Sequence, residues 1–246
     1  MARIVSLANQ KGGVGKTTTS INLGASLAAC ETRVLLVDLD PQANATSGLG
    51  FPKTGHSGSI YSVLVDGLNA AQTIHKTELS GLDLIPSTVD LVGVEIDLAE
   101  HESPQFRLKE ALEPLRERYD YILIDSPPSL SLLTVNGLVA ADSVLVPIQC
   151  EYFALEGVSQ MLETIRRIQS SLNPELEIEG ILLTMHDDRM NLSRQVTDEI
   201  RAYFGTSVYD TVIPRNVRLG EAPSFGKPVL LYDIKSRGSE SYLQLA

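Results

Sequence analysis

The ten residues Asn9-Gln10-Lys11-Gly12-Gly13-Val14-Gly15-Lys16-Thr17-Thr18 constrain this chain more than any other stretch. They follow an apolar run, Ile4 to Ala8, that reads as a buried strand. They precede Ser20 to Ala28, where apolar residues recur at helical spacing with few breakers. Strand, glycine-rich turn and helix together make the context that a phosphate-binding loop requires. Gly12, Gly13 and Gly15 let backbone N–H groups, that of Val14 included, turn inward around an anion, and the helix N-terminus adds partial positive charge. In such a loop Lys16 reaches the β- and γ-phosphates, the Thr17 hydroxyl sits on Mg²⁺, and Thr18 follows along the nucleotide.

The usual pattern places a glycine where Gln10 stands, and it has no second lysine at Lys11. Lys11 is open to two readings. It is a surface lysine, or it is a long cation that reaches a nucleotide held by a second subunit.

No Pro/Ser-rich tract, charge block or repeat divides the chain, and 246 residues suffice for one large α/β core, so residues 1–246 are expected to form one domain. No stretch of about 18 apolar residues suggests a membrane span. Cys30 and Cys150 lack metal-like spacing and suit a reducing cytoplasm. The net charge of −11 argues against a generally basic nucleic-acid binder. Its distribution matters more: residues 189–246 carry eight Lys/Arg against six Asp/Glu, whereas the first 188 carry twelve against twenty-five. A local basic face near the C-terminus is therefore compatible with an acidic body.

Arg33 to Asp38 reads as a fully buried parallel strand, followed by Asp40-Pro41 and then a small, polar segment from Gln42 to Gly58 that suits either a piece moving with ligand state or an ordinary surface loop. Short helices are expected at Ile60–Leu64 and Ala70–Ile74, a strand at Leu82–Pro86, and helices over Val89–Ala99 and from Pro104 to about Arg118. Tyr121 to Asp125 is a second apolar strand ending in an acid. An aspartate there is the usual partner of a phosphate-binding loop and holds Mg²⁺ directly or through water. Strands at Ser143–Ile148, Ile178–Thr184 and Val208–Ile213 alternate with helices at Leu132–Val139, along Leu155–Ile168 and at Leu192–Phe204. Seven strands so arranged predict a doubly wound, mostly parallel α/β sheet flanked by helices. His186-Asp187-Asp188 reads as a polar loop after a strand, and neither a zinc-ligand spacing nor a G-x-S-x-G elbow occurs.

With Lys11, Lys16, Asp38, Asp40 and Asp125 in view, the chain resembles the deviant Walker P-loop ATPases, and within them the ParA/Soj partitioning ATPases. The resemblance spans nearly the whole chain. It rests on K-G-G-V-G-K-T-T, Val37-Asp38-Leu39-Asp40-Pro41-Gln42, Ile124-Asp125-Ser126-Pro127-Pro128, the run Gln149 to Gly157, and Val212-Ile213-Pro214-Arg215-Asn216-Val217-Arg218. It implies that ATP and Mg²⁺ are bound and ATP is hydrolysed in a sandwich homodimer. Lys11 then crosses to the partner's phosphates, Asp40 positions or activates water, and Asp38, Asp125 and Thr17 support the metal and phosphates. Pro214 and Asn216 match an adenine-contacting loop, while Arg189 and Arg218 match phosphate-contacting positions for non-specific double-stranded DNA. Arg194, Lys227 and Lys235 are weaker candidates for that contact.

The implied partner is a ParB/Spo0J-like protein that stimulates hydrolysis, and the implied place is the nucleoid. The end, Ser241 to Ala246, resembles a helix that relatives continue, so no basic C-terminal tail is carried over. A membrane-patterning regulator of the MinD type would need an amphipathic basic anchor there, and these residues are neutral. An iron–sulfur reductase would need cysteines near the dimer axis, and Cys30 falls in the helix after the loop. An ATP-dependent metabolic ligase shares the fold but is favoured by no motif here.

Overall fold

The computed structural model describes residues 1–56, 58–152 and 154–246. Ser57 in the segment after Gln42, and Phe153 in the Gln149–Gly157 motif, lie outside them. In order the elements are β1 (Arg3–Leu7), α1 (Lys16–Ala29), β2 (Val34–Asp38), α2 (Asn44–Gly48), α3 (Ile60–Leu64), β3 (His75–Lys76), β4 (Leu82–Ile85), α4 (Val94–Asp97), α5 (Arg107–Leu112) and β5 (Tyr121–Asp125). They continue with α6 (Leu132–Ala140), β6 (Ser143–Gln149), α7 (Ala154–Ser171), β7 (Glu177–Thr184), α8 (Asn191–Phe204), α9 (Val217–Glu221), α10 (Val229–Tyr232) and α11 (Arg237–Leu245).

The strands form one seven-stranded sheet in the order β3-β4-β2-β5-β1-β6-β7, parallel except for β3 against β4. Continuous apolar runs form its centre because both faces are covered. Alternate residues go to opposite faces. Ile4, Leu35, Ile122 and Val144 join one core layer, and Val5, Leu36, Leu123 and Leu145 join the other. Each fully buried aliphatic side chain contributes about 1.5–3 kcal/mol relative to exposure. The second layer includes α1, which approaches closely at Gly24: a Cβ there would sit 3.3 Å from Leu82 and 3.5 Å from Leu123.

The chain winds outward from β1 in both directions, with β5 on one side and β6 on the other. The C-terminal ends beside that reversal form the crevice where open α/β sheets take ligands. Register sets the level of the groups there, since Leu7 and Asp38 both pair with Asp125.

Several local expectations are corrected. Val208 to Ile213 is not a strand. It touches β7 through the Tyr209 and Ile213 N–H groups, but the chain bends at Asp210, whose carbonyl accepts from Arg201. The seventh strand is instead β3, two residues long and at the opposite edge, where a helix is expected through Ile74. The helix expected from Pro104 to Arg118 is a short α-helix between two tighter turns, because Pro114 lacks the N–H that would continue it. Val89 to Ala99 is likewise a tight turn leading into the four residues of α4. No helix among the described residues is long and apolar enough to cross a membrane.

Candidate nucleotide site

The loop between β1 and α1 is held open by its own backbone. Gly13 and Gly15 have φ of 74° and 88°, a region costly for residues with a Cβ. Gly15 leads into α1 with no side-chain cap, so the first N–H groups of the helix are left for a ligand. Such a helix start attracts phosphate.

Side chains from distant segments fix the loop from outside. Asn9 donates to the Pro147 carbonyl at 2.8 Å and accepts from the Lys11 N–H at 2.9 Å. Thr184, at the end of β7, holds its hydroxyl 2.8 Å from the Val14 carbonyl and 3.1 Å from that of Ile148. Gln10 donates from Nε2 to Thr164 Oγ1 of α7 at 2.7 Å. The residue that departs from the usual loop pattern is thus the one that ties the loop to a helix.

The two lysines differ. Lys16 is 6% exposed and donates to the Lys11 carbonyl at 3.2 Å. Burial pushes its ammonium below the ordinary lysine range, partly offset by Asp125 and then Asp40. Lys11 points outward, with its Nζ 3.7 Å from Glu151. The cradle already has its own cation in Lys16, so Lys11 is a second one on the outer surface.

The carboxylates gather at the same level. Asp38 and Asp125 are fully buried on neighbouring strands. Burial raises both above the ordinary carboxylate range; their neighbouring charges raise them further, and hydrogen bonds pull them back. Asp38 accepts from the Thr46 N–H and hydroxyl, both at 2.7 Å, and from the Asp40 N–H at 3.2 Å. Those bonds make Asp38 the anchor of the Asp40–Thr46 segment. Asp40 itself is 7% exposed and accepts from the Gln42 N–H at 2.9 Å.

Asp125 accepts from the Ser20 hydroxyl at 2.9 Å through Oδ1, while its buried Oδ2 has no hydrogen-bond partner. Thr17 and Ser20 are the hydroxyls that lower its pKa. A buried carboxylate oxygen awaiting a partner beside a helix-start hydroxyl fits Mg²⁺, held directly or through water. No group of three or more His, Cys, Asp or Glu among the described residues could hold a metal alone. Phosphate and water oxygens would complete such a shell.

Beside the loop lies a cleft of about 240 Å³, lined by Thr18, Met185, Pro214, Asn216, Leu219 and Tyr242 among others. Asn216 Oδ1 caps α9 by accepting from the Arg218 N–H at 2.9 Å. Pro214 and Asn216 thus line the same cleft as Gly15 and Thr18. A larger cleft of about 590 Å³, between Arg33, Lys76 and Arg118, holds none of these groups. It carries no share of this chemistry.

The expected DNA contacts are exposed but paired. Arg189 forms a two-pronged pair with Asp187 at 2.9 and 2.8 Å. Arg218 meets Glu221 at 2.7 Å and Asp233 at 3.2 Å. Lys227 pairs with Glu78, and Arg194 with the Asn191 side chain. Two further arginines flank this region: Arg215, 3.9 Å from Glu151, and Arg237, 3.7 Å from Asp188. Arg215 lies between Pro214 and Asn216, a signal available in the sequence; Arg237 had none. Sequence reasoning also missed Ser87, whose hydroxyl donates to the Asp40 carbonyl at 2.6 Å and whose N–H donates to Thr46 Oγ1 at 2.9 Å.

Comparison with known proteins gives a consistent picture. A family model described as an AAA domain matches residues 2–178. The chain is 56% identical over 245 residues to the chromosome partitioning protein ParA of Myxococcus xanthus, covering 100% of this chain and 87% of the relative. It is 58% identical over 246 residues to the sporulation initiation inhibitor protein Soj of Bacillus subtilis, covering 100% and 97%. Among solved structures, cobyrinic acid a,c-diamide synthase of Mycobacterium smegmatis with bound ADP and magnesium superposes with a TM-score of 0.87. That match has 38% identity and covers 99% of this chain and 92% of the other.

Proposed function

The chain belongs to the ParA/Soj family of chromosome-partitioning ATPases, and from that membership we propose that it is an ATP-dependent DNA-segregation ATPase. It binds ATP with Mg²⁺, closes into a sandwich homodimer, and in that state holds double-stranded DNA of any sequence. A ParB/Spo0J-like partner stimulates hydrolysis and so releases it. The chain accordingly resides on the nucleoid.

The observation that carries this reading is the pair of lysines. Lys16 completes the cradle from within, while Lys11 extends from the same loop to the outside. A second cation so placed suits the phosphates of another copy. Dimerisation and nucleotide state are then linked by mass action.

The residues divide the work as phosphoryl transfer requires, by positioning and charge neutralisation. N–H groups at Gly13, Gly15 and the start of α1 receive phosphate oxygens, and Lys16 exchanges the Lys11 carbonyl for them. Bound Mg²⁺ would neutralise charge between the phosphates, with Thr17 and Asp125 as its holders. Asp38 fixes the 40–46 segment so that the Asp40 carboxylate can orient or deprotonate the attacking water. Pro214 and Asn216 flank the base.

DNA binding rests on Arg189 and Arg218, with Arg215 and Arg237 nearby. Phosphates must compete with Asp187, Glu221 and Asp233 for these guanidinium groups. Two copies double the number of such contacts, and salt dependence steepens with each phosphate neutralised.

The test is binding to random-sequence duplex DNA with ATP, with ADP and without nucleotide, across a salt series. The reading expects ATP-only binding that weakens steeply with salt. Binding that ignores the nucleotide, or none in any state while ATP-bound dimers form, would overturn it.

A further inference from the structure

Asp40 leaves the sheet on a short irregular stretch, yet its backbone is held on both sides. Its N–H donates to Asp38 Oδ1 at 3.2 Å. Its carbonyl accepts from the Ala43 N–H at 2.9 Å and from the Ser87 hydroxyl at 2.6 Å. Pro41, next in the chain, disfavours helical backbone at Asp40 and has no N–H of its own to add. The bonds to Asp38 and Ala43 are local. Ser87 comes from 47 residues further along the chain.

Ser87 is itself fixed. It stands two residues beyond β4, whose Ile85 pairs with Val37 of β2. The Pro86 carbonyl between them accepts from the Ile60 N–H at 2.9 Å. The Ser87 N–H donates to Thr46 Oγ1 at 2.9 Å, and the Thr46 hydroxyl donates onward to Asp38 Oδ2 at 2.7 Å. Asp38, Thr46, Ser87 and Asp40 thus close a ring of hydrogen bonds, and the first three are fully buried. A satisfied polar ring in a dry place rigidifies what it joins.

The Ser87 hydroxyl is not needed to satisfy its buried neighbours. Without it the Asp40 carbonyl keeps the Ala43 N–H, and the Thr46 hydroxyl keeps both of its partners, so no polar group is orphaned. What goes is the tie between the Asp40 backbone and the strand-end frame of β4. A positioning error of about 1 Å costs about 100-fold in rate. Release of one backbone bond out of three costs less than that.

Resting on the reading that Asp40 orients or deprotonates the attacking water, we propose that Ser87 is a positioning residue for ATP hydrolysis. Its N–H, bonded to Thr46, sets the place of its hydroxyl, and the hydroxyl fixes the Asp40 backbone so that the carboxylate stays aimed at the water. Ser87 acts through Asp40 and not on the nucleotide. Thr46 serves the same aim from the other side of the ring, by joining Ser87 to Asp38.

The test uses the whole chain with ATP and Mg²⁺. Ser87→Ala should lower kcat about tenfold and leave KM and ATP affinity within about twofold, the pattern of an interaction realised only in the transition state. ATP-loaded dimers should then persist about tenfold longer, because the step that ends them is slowed. Ser87→Thr keeps the hydroxyl and should recover most of the lost rate. Thr46→Val removes the acceptor of the Ser87 N–H and should slow kcat as Ser87→Ala does, whereas Thr46→Ser should stay within about threefold of the parent. Ser87→Ala added to Asp40→Ala should change the residual single-turnover rate less than about twofold, since the two act as a unit.

A kcat within about twofold of the parent in Ser87→Ala would overturn the proposal. So would a loss shared equally by ATP affinity and dimer formation, which marks a merely structural residue. A further tenfold fall in the Asp40→Ala background would overturn it too, because Ser87 would then act elsewhere. When Asp40→Ala alone abolishes turnover, these results defeat this inference and leave the reading of Asp40 standing. Turnover untouched by Asp40→Ala in a chain that binds ATP defeats the reading beneath, and the proposal with it.

Discussion

Where the strands begin, carboxylates meet cations. Asp142 takes Arg116 in a two-pronged pair at 2.8 Å and also accepts from the Ile4 N–H, while Asp120 takes Arg33 at 3.0 and 2.8 Å. Where the strands end, Asp38 and Asp125 lie side by side, and neither forms an ion pair among the described residues. The chemistry follows the geometry. Arg33 pushes Asp120 down to about 2. Burial pulls Asp142 upward, but Arg116 and the Ile4 N–H outweigh it and hold the group below the ordinary range. Burial instead pushes Asp38 and Asp125 up, with the charge of Asp40 adding at the first and those of Asp38 and Asp40 at the second. One edge is arranged to hold the sheet together. The other holds its carboxyl groups in a dry place, where a cation would relieve them.

This contrast is open to test by exchanging charge at each edge. The largest effect is expected from Asp125→Asn. It should lower ATP turnover about 100-fold or more, because metal and phosphate lose a charged partner. Its melting midpoint should stay level or rise, since a buried, repelled carboxylate has been removed. Thermal melts and steady-state turnover on the same preparation check both halves.

Asp142→Asn should do the reverse. The carboxylate is 41% exposed, so solvent screening limits the loss to about 1 kcal/mol, with turnover within about twofold of the parent. Urea unfolding at neutral pH reads that difference. The same pair of proteins sharpens the comparison when pH is lowered. Asp142 has a depressed folded pKa, so its contribution is full above an unfolded value of about 3.9 and fades as pH falls through the folded one. The stability gap should therefore be constant near neutrality and close in acid. A gap that widens in acid would contradict the assignment.

The smallest expected effect is Gln10→Gly. It restores the usual glycine but removes the bond to Thr164, costing about 0.5–1.5 kcal/mol in loop order. A severalfold loss of nucleotide affinity in a titration would agree, and tighter binding would not.

The legible parts were those written locally. The glycine pattern of residues 12–15 and the apolar runs ending in Asp38 and Asp125 each sit in one short stretch, so spacing alone placed them at one sheet edge. Lys11 was legible as a second cation, though not its proximity to Glu151, 140 residues away. Gln10 to Thr164, Thr184 to Val14 and Ser87 to Asp40 are contacts between distant segments, which no local pattern announces. The Val208–Ile213 error has a similar source. Its apolar composition suits a strand, but the bend at Asp210 lets it bond to β7 only at Tyr209 and Ile213. At Gly180 the ring of Tyr209 occupies the space a Cβ would need, 2.5 Å away, a fit that only the folded chain reveals.

The claim beneath all of this is that Lys11 serves the site of another copy, and mixing two variants tests it most directly. Lys11→Ala keeps Asp40 but has no cation to lend, while Asp40→Ala keeps Lys11 but cannot orient water. Each alone should turn over ATP poorly. Mixed in equal amounts, half of the dimers pair the two kinds, and each such dimer has one complete site, so about a quarter of parental turnover should return. Turnover no greater than the average of the two variants alone would show that Lys11 acts within its own chain and would contradict the account.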